Sequence, residues 1–222
     1  MKTALPKRKT NQRACEQETT SMTHNHRVFQ PREASHVQRI AAETTLEKRV
    51  HIVGGKNHGK TTLVVELVEL LRAQGLRVGT IKHTHHHHEL DTPEKDSYRH
   101  RQAGAAAVGI LSPSMNVIFW PPTEPWESTG DRRYDAFAPL LEHCDVVLVE
   151  GDTQTAGPKI EVWRASIGTR PLAERDRSIV AIVTDDAPRL PTPIWPRAEG
   201  LLIAEKIIGL TTGPHRPLSS RR

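Results

Sequence analysis

The sequence predicts an α/β fold, a mainly parallel β-sheet flanked by helices with an antiparallel hairpin attached. Three observations predict it. A short apolar strand runs through a glycine-rich loop into an amphipathic helix between Val50 and Leu71. The continuous apolar run Val146–Val149 and a second buried strand at Ser178–Val183 alternate with helical stretches as parallel strands do. Between the first helix and the first of these strands, two β-rich segments flank Ser112-Pro113-Ser114, a turn signal for a hairpin.

Taken in order, Val50, Ile52 and Val53 form the first strand, and Leu63, Leu67, Leu70 and Leu71 recur at helical spacing behind it. Gly75, after Arg72, closes that helix. Leu76–Ile81 reads as a second strand and residues 82–93, KHTHHHHELDTP, as a polar loop. A helix is expected over 94–104, with Thr92 as its cap and Pro93 at its first position. The hairpin pairs 105–111 with 115–120, and the Pro-rich segment 121–130 is an exposed connection. A helix over 131–143 runs despite Pro139. Lys159–Arg164 alternates charged and apolar residues as a strand. Four prolines between 188 and 196 break the chain before a last helix at 198–210.

The folded domain is expected from about residue 46 to 212, with no internal repeat. Residues 1–45 lack periodicity and read as a disordered basic tail, and 213–222 as a flexible C-terminal tail. The net charge of +5 sits at the N-terminal end: residues 1–49, the tail and the start of the domain, hold ten Lys/Arg against five Asp/Glu, leaving 21 of each sign in the rest. The folded body therefore offers no broad basic surface for nucleic acid. No apolar run approaches the ~18 residues of a membrane span, and no signal-peptide core is present. Cys15 and Cys144 form no C-x-x-C pair, which fits a reducing compartment and a cytoplasmic protein.

The chemistry concentrates at the first strand–helix junction. Gly54, four residues, then Gly59-Lys60-Thr61 matches the phosphate-binding pattern G-x-x-x-x-G-K-[ST], in the strand–loop–helix context that gives the pattern meaning. The sheet is thus expected to be of the P-loop NTPase type. Glycines at 54, 55 and 59 free the backbone so that successive N–H groups, with those of Asn57 and His58 between, can face an anion. Lys60 would meet the β- and γ-phosphates, and the Thr61 hydroxyl would ligate Mg²⁺. A carboxylate at the carboxyl end of a neighbouring strand completes such a site. Asp145 and Glu150 bracket one strand, roughly 16 Å apart at ~3.3 Å per residue. Glu150, at the carboxyl end and followed by Gly151, is the acid expected at Mg²⁺, while Asp145 is structural.

The loop after the second strand holds His83, His85, His86, His87 and His88. His83, His85 and His87 share one face of an extended segment and could bind Zn²⁺ or Ni²⁺. Alternatively the imidazoles contact an oxyanion or cofactor, or the loop is a solvated polar segment. Asp96, downstream, could complete the Mg²⁺ shell or orient water, or only favour the start of its helix. Thr184-Asp185, at the end of the strand 179–183, could read guanine or form an ordinary turn. No N-K-x-D guanine reader is present.

The segments GGKNHGKTTL, VGTIKHTHHHHELDTPEKDSYRHRQAGAAAV, DVVLVEG and KIEVWR resemble the molybdopterin-guanine dinucleotide biosynthesis protein B family over about residues 50–210. The resemblance implies a homodimeric, GTP-binding P-loop protein with weak GTPase activity. It also implies an adapter beside the nucleotidyltransferase that joins GMP to molybdopterin. It places Gly54, Gly59, Lys60, Thr61 and Thr62 on the phosphate loop. His83, Thr84, His85, His86, Asp96 and Ser97 fall on the signature loop, and Glu150-Gly151 on the acid motif. Asp152 and Thr153 depart from the aromatic residue and Lys that the family leads one to expect there. Two rival readings stand beside it, a metallochaperone GTPase that hands over metal through the histidines and an ATP-dependent small-molecule kinase.

Overall fold

The computed structural model describes residues 48–85, 89–122 and 130–211. A six-stranded sheet is built from β1 (Arg49–Val53), β2 (Val78–Lys82), β5 (Val146–Glu150), β6 (Lys159–Val162), β7 (Ile179–Val183) and β8 (Ile194–Trp195), in the order β2-β5-β1-β6-β7-β8. Every pairing in it is parallel. A separate two-stranded sheet pairs β3 (Val108–Leu111) antiparallel with β4 (Asn116–Phe119). Parallel sheet, flanking helices and hairpin agree with the architecture the sequence predicts.

Helices α1 (Lys60–Ala73) and α4 (Gly200–Thr211) cover one face of the sheet. Leu63, Leu67 and Leu71 of α1 and Ile203 and Ile207 of α4 are fully buried against Val50, Ile52, Leu148 and Ile160. At ~1.5–3 kcal/mol for each fully buried aliphatic side chain, this layer is the main source of stability, and it fixes where α1 begins. On the other face, Tyr134 packs on Val147 and Val149. Beside them Ala173 packs with Val53, Ile179 and Ile182.

Four local expectations change. Helix α2 spans Asp96–Gln102 with Lys95 at its cap, because Pro93 and Glu94 form a turn in which Glu94 has φ 70°. Residues 130–137 form a 3-10 helix that leads into one α-turn, α3 (Ala138–Leu141). Pro139 lacks the N–H a continuous α-helix needs, and its ring obstructs the preceding turn. The alternation in β6 does not mark a solvent face, since Lys159 and Glu161 are both buried. Lys159 Nζ donates to Asp176 (2.7 Å) and to the Thr153 carbonyl (2.8 Å), and Glu161 accepts the N–H groups of Leu172 and Ala173. Lastly, β8 forms between Pro193 and Pro196, at the sheet edge where missing N–H groups are tolerated.

Candidate functional site

The junction of β1 and α1 takes its shape from three residues with positive φ: Gly54 at 138°, Asn57 at 67° and Gly59 at 97°. Gly54 is obligatory for a second reason. A Cβ there would lie 2.4 Å from the Val162 carbonyl oxygen, where the end of β6 crosses the loop. Gly59 caps α1 in the left-handed conformation, and no side chain caps the helix N-terminus. The first-turn N–H groups and the helix dipole are thereby left for an anion. Lys60 turns back across the loop, its Nζ donating to the Gly55 carbonyl at 2.8 Å. Burial pushes the Lys60 amine down, with Lys82 adding to the effect and Glu150 opposing it.

The register of the sheet delivers the acid. Glu150 pairs with Ile52 of β1 on one side and Lys82 of β2 on the other. From there its Oε1 accepts a 2.8 Å hydrogen bond from the Thr61 hydroxyl, with Lys82 Nζ 3.9 Å away. The backbone holds this corner in place: Gly151 N–H donates to the Ile52 carbonyl and His83 N–H to the Glu150 carbonyl, each at 2.9 Å. A hydroxyl and a carboxylate converging beside a phosphate loop are hard oxygen donors that could hold Mg²⁺, which would neutralise charge on a bound phosphate. At the far end of the same strand, Asp145 accepts the Arg77 N–H (2.8 Å) and pairs with the Arg77 guanidinium.

His58 is buried, and both ring nitrogens face the segment after β6. Nδ1 accepts the Arg164 backbone N–H at 3.0 Å, which leaves Nε2–H to donate to Thr169 Oγ1 at 2.8 Å. Burial, then Lys60 and Arg164, hold His58 below its ordinary pKa, in keeping with a neutral ring. Its geometry suits an anchor for the loop rather than a hand on the phosphate. Asn57 and Thr62 are exposed.

On the β2 side, His83 is half-buried and its ring stands edge-on to that of the exposed His85, centroids 4.8 Å apart. Burial lowers the His83 pKa. His86, His87 and His88 lie outside the described residues. Among the described residues, no three His, Cys, Asp or Glu side chains gather as a metal ion would need. Asp96 is exposed in the first turn of α2. Asp185 Oδ1 accepts the Ala198 N–H at 3.0 Å, so it serves at least as the turn after β7. It also lines a pocket of about 240 Å³ with Trp163, Arg164, Thr184, Asp186 and Arg197.

Two groups escaped the sequence reading. Arg164 stands just past β6, its guanidinium against Gly59. The signal was available, since a residue past the carboxyl end of a strand beside β1 belongs to the ligand side of such a sheet. The second group surrounds Asp152, buried and held at φ 63°. Tyr134 Oη and Arg133 both donate to its Oδ2, at 2.5 and 2.7 Å. Burial pushes the Asp152 carboxyl up, but the Tyr134 and Arg133 hydrogen bonds outweigh it and leave the pKa lowered. Arg49 stacks on the Tyr134 ring at 3.9 Å and donates to His51 Nε2 at 3.1 Å. The departure at Asp152 thus has its own partners, contributed by the 3-10 segment.

The sequence profile of Molybdopterin guanine dinucleotide synthesis protein B, MobB, matches residues 49–185, well over half of the chain and all of the β1–β7 core. This chain belongs to the MobB family. The Escherichia coli (strain K12) molybdopterin-guanine dinucleotide biosynthesis adapter protein is 39% identical over 129 residues, covering 57% of this chain and 72% of that protein. The corresponding Haemophilus influenzae adapter protein is 36% identical over 134 residues, covering 60% and 72%. Among solved structures, a molybdopterin-guanine biosynthesis protein B is 28% identical with a TM-score of 0.56, over 73% of this chain and 98% of that one. Bacillus subtilis MobB, at 23% identity and a TM-score of 0.53 over 72% and 97%, shares the fold. The MobB assignment covers the phosphate loop, the histidine loop and Glu150 together. Among the described residues, no helix of this MobB chain is long and apolar enough to cross a membrane.

Proposed function

We propose that this MobB-family adapter binds GTP·Mg²⁺ at the β1–α1 loop, hydrolyses it slowly, and assists the nucleotidyltransferase that attaches GMP to molybdopterin. The observation that carries the reading is the 2.8 Å contact between Thr61 Oγ1 and Glu150 Oε1 beside an inward-turned Lys60. Bound Mg²⁺ would supply charge neutralisation at the phosphates, held by Thr61 and Glu150. The chain's own groups do the rest. The loop amides and Lys60 grip the triphosphate, and Thr184 and Asp185 stand where the nucleoside end would lie. The contact with molybdopterin or the partner enzyme is assigned to His83, His85 and Asp96, together with His86 of the same loop.

Slow turnover follows from what the Mg²⁺ corner holds. The side chains described there are Lys60, Thr61, Lys82 and Glu150, without the arginine or glutamine that elsewhere aims water or stabilises charge for ~10³–10⁵ in rate. A homodimer is part of the proposal. The β3–β4 hairpin supports it, exposing Leu111 (86%), Met115 (66%) and Ile118 (49%) in one small apolar ribbon. A cytoplasmic setting is part of the proposal, and Cys144 has no disulfide partner among the described residues.

The test is reconstitution. The chain is combined with the nucleotidyltransferase, molybdopterin, GTP and Mg²⁺, and guanine-dinucleotide cofactor and free phosphate are followed. The proposal expects a higher cofactor yield with the wild-type chain than with Lys60→Ala. An unchanged yield and unchanged GTP turnover would overturn it.

A further inference from the structure

We propose that Arg164 is a nucleotide-binding residue, supplied in cis from beyond β6, that holds the phosphates nearest the nucleoside. The inference rests on the reading that the β1–α1 loop binds a guanine nucleotide, and it adds a contact no loop motif contains.

Position comes first. A Cβ built on Gly59 would sit 2.8 Å from Arg164 Nη2 and 3.3 Å from its Cζ, so the guanidinium lies flat against the residue that caps α1. The amides that follow Gly59 are the ones an anion would use. A terminal nitrogen so close to them is within reach of that anion without backbone movement.

The backbone under this side chain is fixed at two successive residues. Arg164 N–H donates to His58 Nδ1 at 3.0 Å, and Ala165 N–H to Asp186 Oδ2 at 2.7 Å. His58 belongs to the phosphate loop itself, so loop and arginine are clasped together. The guanidinium, by contrast, makes no hydrogen bond or ion pair among the described residues. The nearby carboxylates are occupied with backbone, Asp186 by Ala165 and Asp185 by Ala198. An exposed guanidinium left beside a nest of amides is suited to a multidentate oxyanion.

The sheet order decides which phosphate. Glu150 ends β5 on one side of β1, and Arg164 follows β6 on the other. Those strands are two spacings apart, roughly 10 Å. With the two groups approaching from opposite sides of β1, we assign them to different phosphates. If Mg²⁺ and the terminal phosphate meet Thr61 and Glu150, the chain of phosphates runs across β1 and brings its nucleoside end to Arg164. Beyond Arg164 the pocket lined by Trp163, Thr184 and Asp185 continues in the same direction. Arg164 is therefore assigned to the phosphates nearer the nucleoside rather than to the terminal one.

The prediction is read by equilibrium titration of GTP·Mg²⁺ and GDP·Mg²⁺ into the full chain and its Arg164→Ala, Arg164→Gln and Arg164→Lys variants. Arg164→Ala and Arg164→Gln should weaken both nucleotides by the same factor, roughly ten- to a hundredfold. Arg164→Lys should recover part of the loss. Arg164→Gln keeps the aliphatic stem over Gly59, so its agreement with Arg164→Ala separates lost charge from lost packing. A loss confined to GTP, or no loss with either nucleotide, would overturn the assignment. If the wild-type chain bound neither nucleotide, the phosphate-loop reading itself would fall, and this proposal with it.

Discussion

Thr61 Oγ1 donates a 2.8 Å hydrogen bond to Glu150 Oε1, tying the first turn of α1 to the carboxyl end of β5. The two residues are 89 apart in the chain. Register alone brings them together, because Glu150 pairs with Ile52 just before the loop. Removing either oxygen donor should remove a Mg²⁺ ligand without touching the amide cradle. Glu150→Gln and Thr61→Ala are expected to cut the affinity gained on adding Mg²⁺ by about tenfold or more, while binding without Mg²⁺ changes little. Titration of nucleotide with and without Mg²⁺ checks this.

Gly54 tests the shape of the loop. Alanine there would place Cβ 2.4 Å from the Val162 carbonyl and hold φ near 138°. Nothing there can yield except the β6 backbone. Gly54→Ala should cost ~1–3 kcal/mol and weaken nucleotide binding together. Gly75→Ala is the control. It has φ 83° but nothing within 4 Å of a Cβ, so it should cost only ~1 kcal/mol of backbone strain and leave binding intact. Thermal melts and titrations of both variants read the difference.

His51 predicts a pH dependence. Burial, and then the neighbouring Arg49, lowers its pKa from 6.5 to about 4. In the unfolded chain His51 takes a proton near 6.5, and in the folded chain only near 4. The unfolded state therefore binds more protons between those values, so stability is full above pH 6.5 and falls as pH drops toward 4. The fall is about 3 kcal/mol, at ~1.4 kcal/mol per pKa unit. Asp152 contributes in a separate window. Its pKa is lowered, so its stabilisation is present above the ordinary carboxylate value and lost only at lower pH. Urea unfolding from pH 7 to 4.5 should show the loss, and His51→Gln should flatten it.

Asp152 itself is predicted to stabilise the corner after Glu150. Asp152→Ala leaves the Arg133 guanidinium and Tyr134 hydroxyl without their shared acceptor and puts a Cβ-bearing apolar residue at φ 63°. A loss of ~3–5 kcal/mol is expected. Asp152→Asn keeps an acceptor and tolerates the left-handed backbone, and should lose roughly half as much or less. Denaturant melts of the two variants check the order.

Much of this was legible in the sequence, and the reasons are specific. The apolar runs of β1, β5 and β7 and the Leu63–Leu67–Leu71 stripe are dictated by burial, which a linear pattern records. The loop glycines announce backbone conformation directly, and Glu150 follows from strand length. What a linear pattern does not record depends on partners distant in the chain. Lys159 and Glu161 alternate like surface residues, yet Asp176 and the Leu172–Ala173 amides bury them. His58 sits inside the phosphate motif, and its ring nitrogens engage Arg164 and Thr169, residues the motif does not name. The 130–137 segment carries helical residue types, and Pro139 with the packing of Tyr134 selects a tighter helix. Arg164 went unseen because its partner is a backbone glycine, which leaves no complementary charge to find.

The most direct measurement is a thermal melt of the full chain with GTP·Mg²⁺ at 100 times its dissociation constant, beside ATP·Mg²⁺ and no nucleotide. Such binding adds ~2.7 kcal/mol, which for a domain of this size shifts Tm by about 5–10 °C. The account predicts that shift with GTP, a smaller one with ATP, and its loss in Lys60→Ala. An equal shift with ATP would remove the guanine assignment. No shift with any nucleotide, or an undiminished one in Lys60→Ala, would contradict the account at its centre.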